Sequence, residues 1–256
     1  MSVAQIDRIP ILTYHSIDTS GSVVSTAPEV FRRQMKSLSE MGYNVVALNK
    51  LVEVLANKQT HSPKTVALTF DDGFQNFYTT AFPILEEYGF QATVFLVTDY
   101  CGKYNDWGDN LPKLSRSRLL SWQEIKELNK YEIEFGTHTR THPDLTKIAA
   151  SRVEGELFES KRVIEDSLGC GVTTLAYPYG NFNESVKQIA EKNFQAACST
   201  NLGKVQRESD FFSLERIDTY YLSKQIIFNA LSSNAFDRYL QVRQILRDFK
   251  TLILRN

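Results

Sequence analysis

The feature that most constrains this chain is its alternation of short apolar runs with segments of helical period. Ile9–Thr13, Asn44–Leu48, Thr65–Phe70, Ala92–Val97, Glu132–Thr137, Thr174–Tyr177, Ala196–Ser199 and Phe212–Asp218 read as strands. Helices are expected between them at Pro28–Gly42, Leu51–Asn57, Asn76–Tyr88, Trp122–Lys130, Ile148–Leu168 and Glu184–Asn193. In the first of these, Phe31, Met35, Leu38 and Met41 recur on one face and Gly42 supplies the stop. Pro83 predicts a kink or boundary within Asn76–Tyr88, because proline lacks the backbone donor a helix needs. Ser121 and Glu124 have the spacing of a capping box ahead of Trp122. Asp99–Ser117 is polar and contains glycine, so it reads as a long loop. Strands that alternate with helices through short connections lie parallel, with the helices outside them. Seven or so such units favour a closed or nearly closed barrel over an open doubly wound sheet. In such a barrel the chemistry gathers at the C-terminal ends of the strands.

Composition narrows the class. The 256 residues carry 29 Lys+Arg against 30 Asp+Glu, a formal net charge of -1. That balance argues against a dedicated nucleic-acid binder, which normally shows a basic excess. No apolar run approaches the ~20 residues that span a bilayer. Met1 to Ile9 contains Asp7 and Arg8 and no apolar core of a signal peptide. Cys101, Cys170 and Cys198 are odd in number and widely spaced, which suggests neither a disulfide framework nor a thiolate metal site. A reducing cytoplasm is therefore the expected location.

Three segments at expected strand ends could carry chemistry. Thr69-Phe70-Asp71-Asp72-Gly73 follows an uncharged strand. It is either a solvated turn or a carboxylate pair sharing a cation, one residue binding it and the other acting as a base beside it. Gly136-Thr137-His138-Thr139-Arg140-Thr141-His142 holds two of the four histidines, four residues apart. On a helical turn that spacing puts both rings on one face; the alternative is two surface histidines in a polar loop. One Asp and two His match the three-ligand open site of catalytic zinc. Leu175-Ala176-Tyr177-Pro178-Tyr179-Gly180 is a strand ending in a turn. Either Tyr179 packs on the rim, or its backbone N–H faces an oxyanion.

Taken together and in this order, the segments resemble the polysaccharide deacetylase family, also called the NodB-homology or carbohydrate esterase group. Its signatures T-F-D-D-G, H-[S/T]-x-x-H and P-Y-G stand here as Thr69–Gly73, His138–His142 and Pro178–Gly180, and Ser121–Leu128 looks like the usual run-in to the His segment. The resemblance covers roughly Ile9 to Leu222. It implies a distorted (β/α)7 barrel, expected over residues 1–222; residues 223–256, which it does not clearly cover, are expected as a helical extension. It also implies removal of N- or O-acetyl groups from sugars with a divalent metal, zinc by default, with cobalt, nickel or iron compatible with the same donors.

Two departures matter. The family's third motif usually begins with an Arg that holds the catalytic Asp, and here that position is Ala176. Arg216, at the end of another expected strand, is the best substitute; the alternative for it is a rim salt bridge. The family's late histidine is also missing, since none follows His142. His61 lies in a turn-like surface stretch. His15 ends an apolar strand and resembles the early histidine of the branch that deacetylates poly-N-acetylglucosamine; otherwise it is a satisfied core or rim histidine.

On this resemblance Asp72, His138 and His142 hold the metal and Asp71 takes a proton from water. The Tyr179 N–H helps stabilise the oxyanion, His15 protonates the leaving amine and Arg216 holds Asp71. The expected substrate is an N-acetylated amino sugar or glycan. The alternatives are a deformylase or other C–N amide hydrolase on the same scaffold, or a sugar-binding module that has lost catalysis. Tyr100, Tyr104 and Trp107 either stack on sugar faces or simply pack.

From Tyr239 onward, Val242, Ile245, Phe249 and Leu252 recur at helical spacing among several Arg and Lys. This helix either packs its apolar stripe on the barrel or makes a peripheral contact with an anionic membrane surface. No oligomeric state is legible.

Overall fold

Thr65–Phe70 is buried along its whole length and is the strand around which the sheet is organised. The structure, a computed structural model, describes residues 8–59, 62–107 and 115–255. Its strands are β1 (Ile11–Tyr14), β2 (Ser16–Ile17), β3 (Ser25–Thr26), β4 (Asn44–Val46), β5 (Thr65–Phe70), β6 (Thr93–Leu96), β7 (Glu134–Thr137), β8 (Thr174–Ala176), β9 (Ala196–Leu202) and β10 (Leu214–Asp218). The sheet runs β1-β10-β9-β8-β7-β6-β5-β4, and β1 also pairs with β5. All these pairings are parallel, so β1 and β5–β10 close into a seven-stranded barrel. One edge of β5 is divided: its start pairs with β4 (Asn44 with Thr65, Val46 with Ala67) and its end with β6 (Thr69 with Thr93, Phe70 with Val94), while the opposite edge pairs with β1 (Ile11 with Ala67, Tyr14 with Phe70). This shared edge is the distortion in the barrel. The two-residue pair β2–β3 stands apart from it, just beyond His15.

The period-2 alternation of the strands sorts side chains to two sides of the barrel wall. Leu12, Val66, Leu68, Phe70, Val94, Leu175 and Ala197 belong to the larger apolar cluster, which includes the buried stripes of α1 (Pro28–Glu40) and α5 (Ala150–Leu168). The intervening positions Ile11, Ala67, Phe95, Ala176, Ala196, Cys198 and Leu214 form a second cluster. Continuing that second row along β5 gives Thr69 and Asp71, and along β10 gives Arg216. Phe95 fills this space only because residue 136 is glycine, where a Cβ would sit 2.5 Å from the Phe95 ring.

Helices α2 (Leu48–Ala56), α3 (Phe82–Glu87), α4 (Trp122–Leu128), α6 (Glu184–Glu191), α7 (Gln225–Phe228) and α8 (Asn234–Arg255) complete the layer. The Ser121–Glu124 capping box forms as expected. The segment expected as one helix at Asn76–Tyr88 is divided into a π-helical turn, Phe77–Ala81, and α3, with Pro83 in the first turn of α3. Proline cannot donate to a carbonyl four residues back, and the preceding Phe82 N–H bonds instead to the Phe77 carbonyl, five back. The long loop holds a short 3-10 turn (Thr98–Tyr100) and a bridge between Tyr104 and Arg118. Helix α8 starts earlier than Tyr239. Its first turns bury Phe236 and Leu240 in the core, whereas Val242, Ile245, Leu246 and Phe249 stay exposed. Apolar packing on the barrel is therefore concentrated at the beginning of this helix, and farther on its contacts are polar: Gln244 accepts from the Leu202 N–H and Arg247 donates to the Thr200 carbonyl. Among the described residues no helix is long and apolar enough to cross a membrane.

Candidate active site

Asp71 follows β5, and its N–H donates to the Tyr14 carbonyl at 3.0 Å, which ties it to β1. Arg216 enters from β10, on the far side of β1, and meets both carboxylate oxygens at 2.7 Å. Its Nε donates to the Ser199 carbonyl at 2.9 Å, and Nη1 also reaches Thr69 Oγ1 at 3.3 Å. Arg216 is only 1% exposed, so the pair is a buried bidentate clamp rather than a rim salt bridge. Burial alone would raise the Asp71 carboxyl, but the charge and hydrogen bonds of Arg216 hold it well below the ordinary carboxylate range. Burial likewise opposes the Arg216 charge, yet Asp71 pushes that group above its usual value.

Asp72, the next residue, turns away in a left-handed conformation (φ 70°). Its Oδ1 lies 3.6 Å from His138 Nε2 and 3.4 Å from His142 Nε2, and the two Nε2 atoms are 3.2 Å apart. Ligands about 2.0–2.1 Å from a tetrahedral ion stand about 3.3–3.4 Å from one another. The three donor atoms thus have the edge lengths of one face of such a tetrahedron. His138 Nδ1 lies 2.7 Å from the Ala176 carbonyl, and donating there leaves the Nε2 lone pair for an ion. Burial, then the neighbouring His138, pull His142 well below the usual imidazole range, which keeps it neutral and able to donate. Burial pushes the Asp72 carboxyl up, and His15 and His138 only partly counter it. Among the described residues no Lys or Arg pairs with Asp72, so its charge is best neutralised by a cation held with the two imidazoles. The residues fit a first-row divalent metal.

The histidine pair does not sit on a helix. Thr139 and His142 both have positive φ, 71° and 58°, and this tight turn brings the rings to 4.8 Å between centroids. Thr139 N–H donates to Thr137 Oγ1, and His142 N–H to Thr139 Oγ1. Glu156 of α5, buried, accepts from the N–H groups of Arg140 and Thr141 at 3.0 and 2.9 Å and from the Thr141 hydroxyl at 2.6 Å. Sequence reading missed this residue. Its signal was a carboxylate inside the stripe Val153, Leu157, Ser160 and Ile164, where a helix packed on a barrel should be uncharged.

His15 lies on the other flank, its Nε2 3.9 Å from Asp71 Oδ2 and its side chain partly open to solvent. Tyr179 has φ 59°, and its ring lies 4.7 Å from that of His142. Gly180 follows at φ 71°, where a Cβ would collide with Thr200. Trp107 approaches the same imidazole at 4.9 Å and is 6% exposed, with Tyr100 packed edge-on against it. Tyr104 stacks under the Arg116 guanidinium. Trp107 and Tyr100 therefore pack beside a histidine of the site. Of the six described non-glycine residues with positive φ, four are Asp72, Thr139, His142 and Tyr179. Backbone of this kind gathers where surrounding structure holds a functional geometry in place. His61 lies outside the described residues.

Residues 58–196 match the family model described as polysaccharide deacetylase. The chain belongs to the polysaccharide deacetylase family. The matched stretch contains the Asp-Asp-Gly, His and Pro-Tyr-Gly segments, while His15 and Arg216 lie outside it. A Bacillus subtilis protein that carries a polysaccharide deacetylase name is 28% identical over 235 residues, 91% of this chain and 76% of its own length. The Escherichia coli K12 poly-β-1,6-N-acetyl-D-glucosamine N-deacetylase is 29% identical over 136 residues. That match covers 50% of this chain but only 20% of the E. coli protein. Among solved structures, the Streptococcus pyogenes deacetylase PplD in complex with acetate superposes with a TM-score of 0.73 at 28% identity. It covers 82% of this chain and 92% of its own.

Proposed function

We propose that this polysaccharide deacetylase family member is a metal-dependent de-N-acetylase that releases acetate from an N-acetylated amino-sugar glycan. The observation that supports it most is the juxtaposition, at one barrel mouth, of the Asp72–His138–His142 donor set and the clamped Asp71, with His15 beside it. A divalent ion held by Asp72, His138 and His142, zinc first, would act as a Lewis acid on the acetyl carbonyl and on water. Asp71, ionised by its contact with Arg216, accepts a proton from the attacking water. The Tyr179 N–H is proposed as a donor to the oxyanion that forms. His15, on the open side of Asp71, delivers a proton to the amide nitrogen as the C–N bond breaks. Water is consumed, and acetate and the free amine leave. The E. coli relative's name supports a poly-N-acetylglucosamine-type substrate, and the acetate held by the S. pyogenes deacetylase agrees with acetyl transfer to water.

The clamp itself favours a second reading of the proton path. A carboxylate with both oxygens held by a guanidinium is a weak base, so His15 would take the water proton and pass it to the amine, with Asp71 orienting it. His15→Ala measured on an amide and on an activated phenyl ester separates the two, because a phenolate leaves without a proton. Loss on the amide alone supports the acid-only role. Equal loss on both supports the second reading.

The proposal includes the division into a catalytic barrel (1–222) and a helical extension (223–256), a cytoplasmic location, and peripheral contact of that extension with anionic membrane. Co-sedimentation of the full chain with anionic and neutral vesicles tests the contact. Binding to the anionic ones only is expected, and no binding at low salt would remove it.

A further inference from the structure

Beyond β10 and α7, a groove of about 410 Å³ opens beside the His15 flank of the barrel mouth. That volume is within the range of small-molecule sites. Thr219, the residue after β10, forms part of its wall and donates to the Thr13 carbonyl at 2.9 Å, two residues before His15. Thr219 is three residues beyond Arg216, roughly 10 Å along an extended chain. The groove therefore lies where a neighbouring unit of a chain-like substrate would pass, not where the reacting acetyl group would sit.

Its lining has a consistent chemistry. Ser25, Thr26, Thr219 and Ser223 present hydroxyls, and Tyr220, Tyr221 and Tyr239 present rings. Lys224 and Arg243 are its charged residues, and no carboxylate lines it. Arg243 is held from α8 over two of the rings, its guanidinium carbon 5.5 Å from the Tyr221 centroid and 5.3 Å from that of Tyr239. Its Nε donates to the Tyr239 hydroxyl at 3.2 Å. Among the described residues neither Arg243 nor Lys224 has an acidic partner in an ion pair. A guanidinium oriented by aromatic faces, with no acid of its own, is preorganised for an oxyanion, while tyrosines and hydroxyls suit a sugar ring.

We propose that this groove is a subsite for an anionic sugar unit, whose carboxylate or phosphate is taken by Arg243 and Lys224. The proposal rests on the deacetylase reading for its place on the substrate and makes that substrate a glycan with negative charge near the acetylated unit. The subsite sets specificity, and Arg243 takes no part in the chemistry.

Binding is measured by calorimetry on the full chain with matched probes. Hyaluronan tetrasaccharide is compared with N-acetylchitotetraose, and N-acetylglucosamine 6-phosphate with N-acetylglucosamine. One charge-assisted contact of this kind corresponds to about a tenfold preference for the anionic member. The expected result is such a preference in at least one pair, erased in Arg243→Gln and reduced in Lys224→Gln. Both side chains lie at the groove surface, and an unchanged melting temperature in each variant certifies its fold. The pair that shows the preference tells a carboxylate from a phosphate. Equal binding within both pairs, or a preference that survives in Arg243→Gln, would overturn the proposal. Calorimetry needs no turnover, so anion-selective binding without acetate release would sink the deacetylase reading and leave the subsite standing.

Discussion

Arg216 stands on β10 and bonds Asp71, which directly follows β5 and is tied by its N–H to β1, whereas His138, His142 and Tyr179 stand on the turns that leave β7 and β8. The first pair neutralises itself: a buried cation meets a buried carboxylate through two bonds of 2.7 Å, and it needs no ligand to be stable. The second group gathers a carboxylate and two imidazoles on backbone with positive φ at Asp72, Thr139 and His142. It has no cation of its own among the described residues. The difference teaches where each half draws its stability. The strand half is part of the folded core, and the loop half is a set of donors whose charge a bound ion would balance. Substitutions in the first should therefore cost fold as well as activity, and substitutions in the second should cost the ion first.

The largest effect is expected from Arg216→Met. Removing one partner of a buried pair leaves the Asp71 charge uncompensated, a loss of about 3–5 kcal/mol. Denaturant unfolding should show it, along with loss of acetate release. Because Asp71→Asn strands Arg216 in the same way, the double variant should recover part of the stability and none of the activity. Additive losses in that cycle would mean that the clamp is not a unit.

His142→Ala comes next. Metal retention and activity should both fall to background, while unfolding stays closer to wild type than for Arg216→Met. Metal analysis after purification and reconstitution checks this. A variant that keeps its ion would remove His142 from the donor set.

Asp71→Asn should keep the ion and lose about 10²–10⁴ in rate, the usual cost of removing a general base. Rates within tenfold of wild type would move the proton-accepting role to His15.

The smallest effect is expected at Glu156→Gln. The amide keeps its shape and part of the bonding to the His loop, so metal affinity should drop by about 10–100-fold, as for other residues that orient ligands indirectly. Unchanged affinity would mean that the loop holds its turn without that carboxylate.

The alternation of strands and helices was readable because each β-strand divides its residues between two sides of one wall, and β5 shows this without interruption. The donor set was readable because Asp72, His138 and His142 are local features at strand ends. Arg216 could be nominated only from its strand-end position and the missing Arg at 176. Its meeting with Asp71 depends on β10 and β5 both flanking β1, a long-range pairing that local patterns do not encode. The left-handed turns at Thr139 and His142 were hidden because neither residue type demands positive φ. Spacing alone suggested a helical turn instead. Pro83 announced a boundary, but the widened π-turn before it follows from how the flanking segments pack. Trp107 could be read from sequence only as a loop aromatic that stacks on sugar or packs; its contact with the His142 ring is long-range and not encoded locally.

The central claim is that a metal seated on the Asp72–His138–His142 socket makes this barrel release acetate. The direct measurement strips the protein with chelator and titrates zinc back. It follows bound zinc per chain and acetate released from an N-acetylglucosamine oligomer in the same samples. The account predicts that acetate release is absent in the stripped protein, rises in step with binding and levels at a single equivalent. Full-rate acetate release from the stripped protein, or stoichiometric zinc with no acetate released, would contradict it.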